Sequence, residues 1–319
     1  MANTREVLQA STSEVAVAET SAGPAMAVFE NRVHLVYRGR FSSDLWACSF
    51  DGRRWSDPLS LAEVANARSA AAPSLAVYRG RLYAFYVGDI LGDLWACVYD
   101  GGWLRRPIKV TDFLSASTAD APATAVSRDT IHLVYAGENT SDLWSLSFDG
   151  LFASRQVCLT DMNGAHSFET PALAAYGDRV HVIYRGADDL GLSHFGFDGE
   201  SVTPTTDISE ANGARTLYPP AAAVFDEELH LTYVGESDGD ICGTTYNGDW
   251  SSRTFPITRP TERPDRLALL PLGYAVSTRF AEHGLYTSFD ANALMFDEAL
   301  FMVFAAEDSG RIYASILGT

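Results

Sequence analysis

Three observations predict an all-β chain folded as a six-bladed β-propeller. Pro24, Pro73, Pro122, Pro171 and Pro220 follow one another at 49-residue intervals (24 to 73, 73 to 122, and onward). Around each proline the chain repeats four short apolar runs parted by turn residues, as in PAMAVFENRVHLVYRGRFSSDLWACSFDGRRWSDPLSL and PSLAVYRGRLYAFYVGDILGDLWACVYDGGWLRRPIKV. The last copy supplies only three runs, while residues 5–19 precede Pro24 as a fourth strand precedes each later proline. Four antiparallel strands per repeat at this period is the pattern of radially arranged blades. The two chain ends complete one blade between them, so the N-terminal strand closes the ring and removes an exposed sheet edge.

In the first copy, strand one is Ala25–Phe29, strand two covers 33–37 and ends at Gly39, and strand three is Leu45–Phe50. The Asp51-Gly52 pair then favours a tight hairpin, and strand four is expected from 55 to about 61. The runs are apolar on both faces, as sheets sandwiched between two others require. Matching Phe29 to Phe296 puts the sixth anchor at Ala291, giving anchors at 24, 73, 122, 171, 220 and 291. The last interval is 71 residues (220 to 291), 22 more than the period. An insertion is therefore expected within 259–290, and residues 1–319 are read as one domain. An element that the repeat does not require is a functional candidate.

The chain is acidic, with a formal net charge of −18. That charge disfavours a nucleic-acid partner, and no apolar run is long enough for membrane insertion. The N-terminus has no apolar core of an export signal, so a cytoplasmic location, with leaderless release open, is expected. The four cysteines show no CxxC spacing and read as reduced, buried side chains. Lys109 is the one lysine, in a segment expected to be an outer strand, and makes a poor Schiff-base candidate. No cofactor or resident metal is expected: the acidic stretch from Glu236 to Ile241 lacks calcium-loop spacing. The oligomeric state is left open.

Strand parity puts the two-to-three loops and the four-to-one linkers on one face, called upper here, with the Asp-Gly hairpins and one-to-two turns below. The upper face carries the diverse polar residues, including Arg38, Arg40, Asp44, Asp89, Asp93, Asp142, Arg185, Asp189 and Glu236. Aligned linker positions read Arg68, Ser117, His166, Arg215, and, nearer the axis, Ala71, Asp120, Glu169, Tyr218. Trp46, Trp95 and Trp144 share one position early in strand three, beside Asp44, Asp93 and Asp142. An aromatic plane next to an acid suits a sugar ring with hydroxyls, and blade-to-blade packing is the structural alternative. His34, His132, His181 and His230 also share one position, too far from the axis to converge on a metal. They read, with His194, as packing residues. His166 and Glu169 in one linker, with Asp120, Arg215 and Tyr218 nearby and His283 and Tyr286 from the insertion, form a possible acid–base pocket at the channel mouth.

The hairpin SFDGRRW, echoed as VYDGGW and TYNGDW, resembles the Asp-box of sialidase-like propellers. The whole-chain pattern also resembles six-bladed sugar-binding lectins of the fucose-lectin type. That resemblance implies ligand sites between adjacent blades, with Arg38 and Arg185 matching the lectin arginine and Trp46, Trp95 and Trp144 the aromatic residue. Strand three carries Ala47, Ala96 and Ser145 where the lectins use a glutamate.

Two functions from different classes follow, with a third beside them. The first is a carbohydrate-binding, lectin-like propeller with sites on the upper face. The second is an enzyme acting on a glycan or small metabolite, with His166 or Glu169 as acid–base, Arg215 as anion clamp, and His283 or Tyr286 supplied by a lid. The third is a protein-interaction scaffold.

Overall fold

The repeat folds as consecutive hairpins. The first sheet is β2 (Ala25–Phe29), β3 (Arg32–Arg38), β4 (Leu45–Phe50) and β5 (Leu59–Ser60), after β1 (Ser11–Glu19). The second is β6 (Ser74–Tyr78), β7 (Arg81–Val87), β8 (Leu94–Tyr99) and β9 (Ile108–Lys109). The third is β10 (Ala123–Ser127), β11 (Thr130–Ala136), β12 (Leu143–Phe148) and β13 (Val157–Cys158). The fourth is β14 (Ala172–Tyr176), β15 (Arg179–Arg185), β16 (Leu192–Phe197) and β17 (Thr206–Asp207). The fifth is β18 (Ala221–Phe225), β19 (Glu228–Val234), β20 (Ile241–Tyr246) and β21 (Phe255–Thr258). A further sheet joins β22 (Pro264–Leu272), β23 (Ala299–Ala306) and β24 (Arg311–Gly318) to β1, in the order β1-β24-β23-β22. This computed structural model describes residues 11–51, 54–111, 118, 122–137, 140–187, 189–225, 227–236, 241–258, 264–272, 299–306 and 311–318. Over them the chain is a β-propeller of four-stranded antiparallel blades.

The innermost strands β2, β6, β10, β14, β18 and β22 touch in that order, and β22 also touches β2. Between blades lie seams of buried, mostly apolar side chains. Phe85 and Tyr83 of the second blade meet Phe148 of the third edge-on, at 5.6 and 6.0 Å between ring centroids. Burying each such ring contributes about 1.5–3 kcal/mol. The position shared by His34, Tyr83, His132 and His181 is a seam position. His34 packs on Tyr99 of the second blade, His132 on Phe197 of the fourth, and His181 on Tyr246 of the fifth. His34, His132 and His181 are buried, and burial lowers the pKa of each.

The Asp-box hairpins are structural. Asp149 Oδ1 accepts backbone N–H bonds from Leu151 and Phe152, and Asp198 Oδ1 accepts them from Glu200 and Ser201. These bonds hold both carboxyls below the usual range.

Strand four is shorter than the sequence suggests. In the first blade it spans only Leu59–Ser60, and helix α1 (Leu61–Ala65) follows, because the Ser60 side chain accepts the Glu63 N–H and caps a helical turn. Helices α2 (Thr160–Asn163) and α3 (Ile208–Asn212) stand at matching places. The linkers then turn on buried hydroxyls: Thr20, Ser69, Ser167 and Thr216 each bond both the N–H and the C=O of the residue two further on. These bonds satisfy linker backbone that would otherwise be unpaired.

The expected sixth anchor, Ala291, cannot be compared directly with a described strand. The strand paired with β23 is Pro264–Leu272, inside the segment expected as an insertion, and Ala291 lies outside the described residues. Two apolar runs, LALLPL and ANALMF, compete for strand one, and the first takes it. Leu272 pairs with Ala299, and residues 273–298 lie outside the described residues. The cysteine reading is corrected: Cys48 and Cys97 are buried, whereas Cys158 and Cys242 are only half-buried. Among the described residues, no helix is long and apolar enough to cross a membrane.

Candidate seam site on the upper face

The third strands of the first three blades begin alike. Each tryptophan lies opposite a tyrosine of strand two: Tyr37 and Trp46, Tyr86 and Trp95, Tyr135 and Trp144. Each indole also rests against the glycine that ends strand two. A Cβ added at Gly39, Gly88 or Gly137 would stand 3.2, 3.0 or 3.1 Å from the indole Nε1 of Trp46, Trp95 or Trp144. A side chain there would crowd the ring, although glycine also ends strand two at Gly186, where a Cβ would meet Asp189 instead. All three tryptophans are half-buried, and each packs against a seam cluster.

The acids beside these rings already have basic side chains as partners. Asp44 Oδ1 accepts from Arg68 Nε at 3.0 Å, Asp93 meets Lys109 Nζ at 3.0 Å, and Asp142 lies 3.7 Å from His166 Nδ1. The Lys109 ammonium also stands 5.7 Å from the centre of the Trp95 ring. Its strand register explains the contact, because Lys109 pairs with Trp95 where the first and third blades place Ser60 and Cys158.

One seam opens into a pocket of about 340 Å³ between the first and second blades. Asn66 and Arg68 come from the linker after the first blade, and Tyr86, Asp89, Asp93 and Trp95 from the second; Ile90, Leu91 and Pro107 add apolar wall. The Arg68 guanidinium is fixed by Asp44 and by Asn66 Oδ1 at 2.7 Å, and Asp89 Oδ2 accepts from Ser43 Oγ of the first blade at 2.9 Å. Burial, with the neighbouring Cys97 thiol, raises the Tyr86 phenol well above its ordinary pKa, and burial pushes the Cys97 thiol up to about 12. Tyr86 therefore faces the pocket as a neutral phenol. The arrangement offers one aromatic surface, two carboxylates and a braced guanidinium, which can bind a neutral polyol through several charge-assisted hydrogen bonds.

The other residues expected in a site are distributed around the ring. Arg38 donates from Nε to the Ser69 carbonyl at 2.8 Å and braces a linker. Arg185 donates to Glu169 Oε2 at 3.0 Å, and Arg215 to Glu236 Oε2 at 3.0 Å. His166 Nδ1 lies 3.1 Å from Ser141 Oγ, on the same nitrogen that faces Asp142. Tyr218 donates its backbone N–H to Thr216 Oγ1. These pairings tie His166 to the third blade, Glu169 to the fourth and Arg215 to the fifth. Asp120, His283 and Tyr286 lie outside the described residues. Among the described residues, no group of three or more histidine, cysteine or acidic side chains is placed to hold a metal.

Arg68, Asn66 and Lys109 were not singled out as ligand residues from sequence. Arg68 was visible as a variable linker position, but its role needs the next blade as neighbour, a relation that the 49-residue alignment does not display.

No protein-family profile matches the sequence, and no curated protein matches it. Solved structures do resemble it. AofleA from Arthrobotrys oligospora is 10% identical, with a TM-score of 0.64 over 97% of this chain and 86% of that one. The Aleuria aurantia lectin, a fungal six-bladed β-propeller that recognises fucose, is 11% identical, with a TM-score of 0.59 over 93% and 95%. The NanB sialidase from Streptococcus pneumoniae is 9% identical, with a TM-score of 0.57 over 96% and 70%. At these identities the likeness establishes the β-propeller fold.

Proposed function

We propose that this chain is a carbohydrate-binding, lectin-like propeller: six-bladed, one domain over residues 1–319, closed by β1, with a glycan seated between the first and second blades. The observation that carries the reading is the union of Trp95, Asp89, Asp93 and Arg68 in one seam pocket. A pyranose presents C–H bonds to an aromatic face and hydroxyls to carboxylates and guanidinium, and this pocket supplies both. The cyclic contacts of the innermost strands and the pairing of β1 with β24 support six blades and closure. The propellers of similar fold include a fucose-recognising lectin and a sialidase, which is consistent with a glycan ligand.

Binding is favoured over catalysis because His166, Glu169 and Arg215 are each engaged by a separate partner, whereas acid–base catalysis needs its groups gathered around one reacting atom. Titration calorimetry against a panel of mono- and disaccharides tests the reading. Saturable heat with at least one glycan is expected. A panel silent at roughly millimolar affinity, about −4 kcal/mol, removes the proposal.

A further inference from the structure

The loop above the pocket differs from its counterparts. Between strands two and three the blades read GRFSSD, GDILGD, GENTSD, GADDLG and GESDGD. Only the second places two aliphatic residues at the tip, and both are exposed, Ile90 by 87% and Leu91 by 72%. The tip is not a loose excursion. Gly88 N–H donates to the Asp93 carbonyl at 2.8 Å, and Gly92 N–H to the Gly88 carbonyl at 3.3 Å. Acids anchor both ends, Asp89 through Ser43 and Asp93 through Lys109. Ile90 and Leu91 are therefore held over the pocket that Trp95 and Arg68 line, and Pro107 extends the same apolar wall.

A glycan with hydroxyls all round would leave that wall wet. An exposed apolar pair continuous with a polar, aromatic pocket calls for a ligand with one end of each kind. We infer that the pocket takes a glycoside carrying an apolar alkyl, aryl or acyl group, with the sugar beside Trp95, Asp89, Asp93 and Arg68 and the apolar group against Ile90, Leu91 and Pro107. This inference rests on the carbohydrate reading and names its ligand class.

The test compares methyl glycosides with matched phenyl glycosides of glucose, galactose, mannose, fucose, xylose and N-acetylglucosamine. Each pair is titrated into the wild-type chain and into the double variant Ile90→Ser, Leu91→Ser, with thermal melting as the check on folding. For whichever sugar binds, the phenyl form should bind about fivefold tighter to the wild type, and the ratio should fall to about one in the variant. Equal affinities in the wild type, or a ratio that survives in the variant, overturn this inference while leaving a glycan site standing. Failure of every glycoside to bind overturns the glycan site itself, and this inference with it.

Discussion

The seam between the first and second blades and the seam between the fourth and fifth are built from the same repeat positions and serve opposite ends. In the former, Trp95 stands half-exposed beside Arg68 and an open pocket. In the latter, Ser193 and Cys242 occupy the tryptophan position, and the next residue of β16 is His194, where the earlier blades have Ala47, Ala96 and Ser145. His194 is buried with His181, their rings nearly parallel with centroids 4.9 Å apart. Trp250 Nε1 donates to His194 Nδ1 at 3.2 Å, so His194 carries its proton on Nε2 and donates it to His181 Nδ1 at 2.7 Å. Tyr246 closes the cluster against both histidines. One seam spends its polar groups outward, and the other satisfies them internally. A repeat fold thus varies the chemistry of its seams without changing its scaffold.

Trp95→Ala should have the largest effect, weakening glycan binding by about thirtyfold, near 2 kcal/mol, in calorimetry. Retained affinity would move the ligand away from this seam. The corresponding test of the closed seam is acid. Burial holds His194 down to about 3 and also lowers His181. A histidine depressed in the fold gains its proton on unfolding, so its stabilising contribution is full above the unfolded value of about 6.5 and is lost as pH falls toward 3. One pH unit below 6.5 should remove about 1.4 kcal/mol through His194. His194→Leu should flatten that slope in denaturant titrations followed by fluorescence, and an unchanged slope would separate the pair from acid sensitivity.

Smaller effects sharpen the contrast between glycines. Gly88→Ala must push the Trp95 indole, whereas a Cβ at Gly186 meets the end of the flexible Asp189 side chain at 2.9 Å. Glycan affinity should therefore drop several-fold, about 1 kcal/mol, in Gly88→Ala and hold in Gly186→Ala. Lys109→Met should change stability least, by about 0.5 kcal/mol or less, since its ion pair is partly exposed. A loss of several kcal/mol on melting would mean that Lys109 does more than cover Trp95.

The propeller repeat was legible because each blade reuses residues for the same physical task. Pro73 and Trp95 recur at the period, and so do Ser69, Ser167 and Thr216, whose linker-turning role needed hydrogen bonds to recognise. Strand four was overread because Ser60 caps a helix that an apolar pattern does not distinguish from a strand. In the last sheet β22 takes the run LALLPL, which the repeat alignment does not separate from the equally apolar ANALMF. Within the site, Trp95 and Asp93 were visible as a local pair. Arg68 was not, because a seam joins residues whose proximity arises only when one blade packs on the next.

The six tryptophans supply the most direct measurement. Their indole N–H signals can be followed by nitrogen–proton NMR as a glycan is titrated in. The signal of Trp95 should move and saturate, while that of Trp250, held to His194, stays still. Saturating glycan that moves Trp250 and leaves Trp95 in place would contradict a ligand site in the first seam.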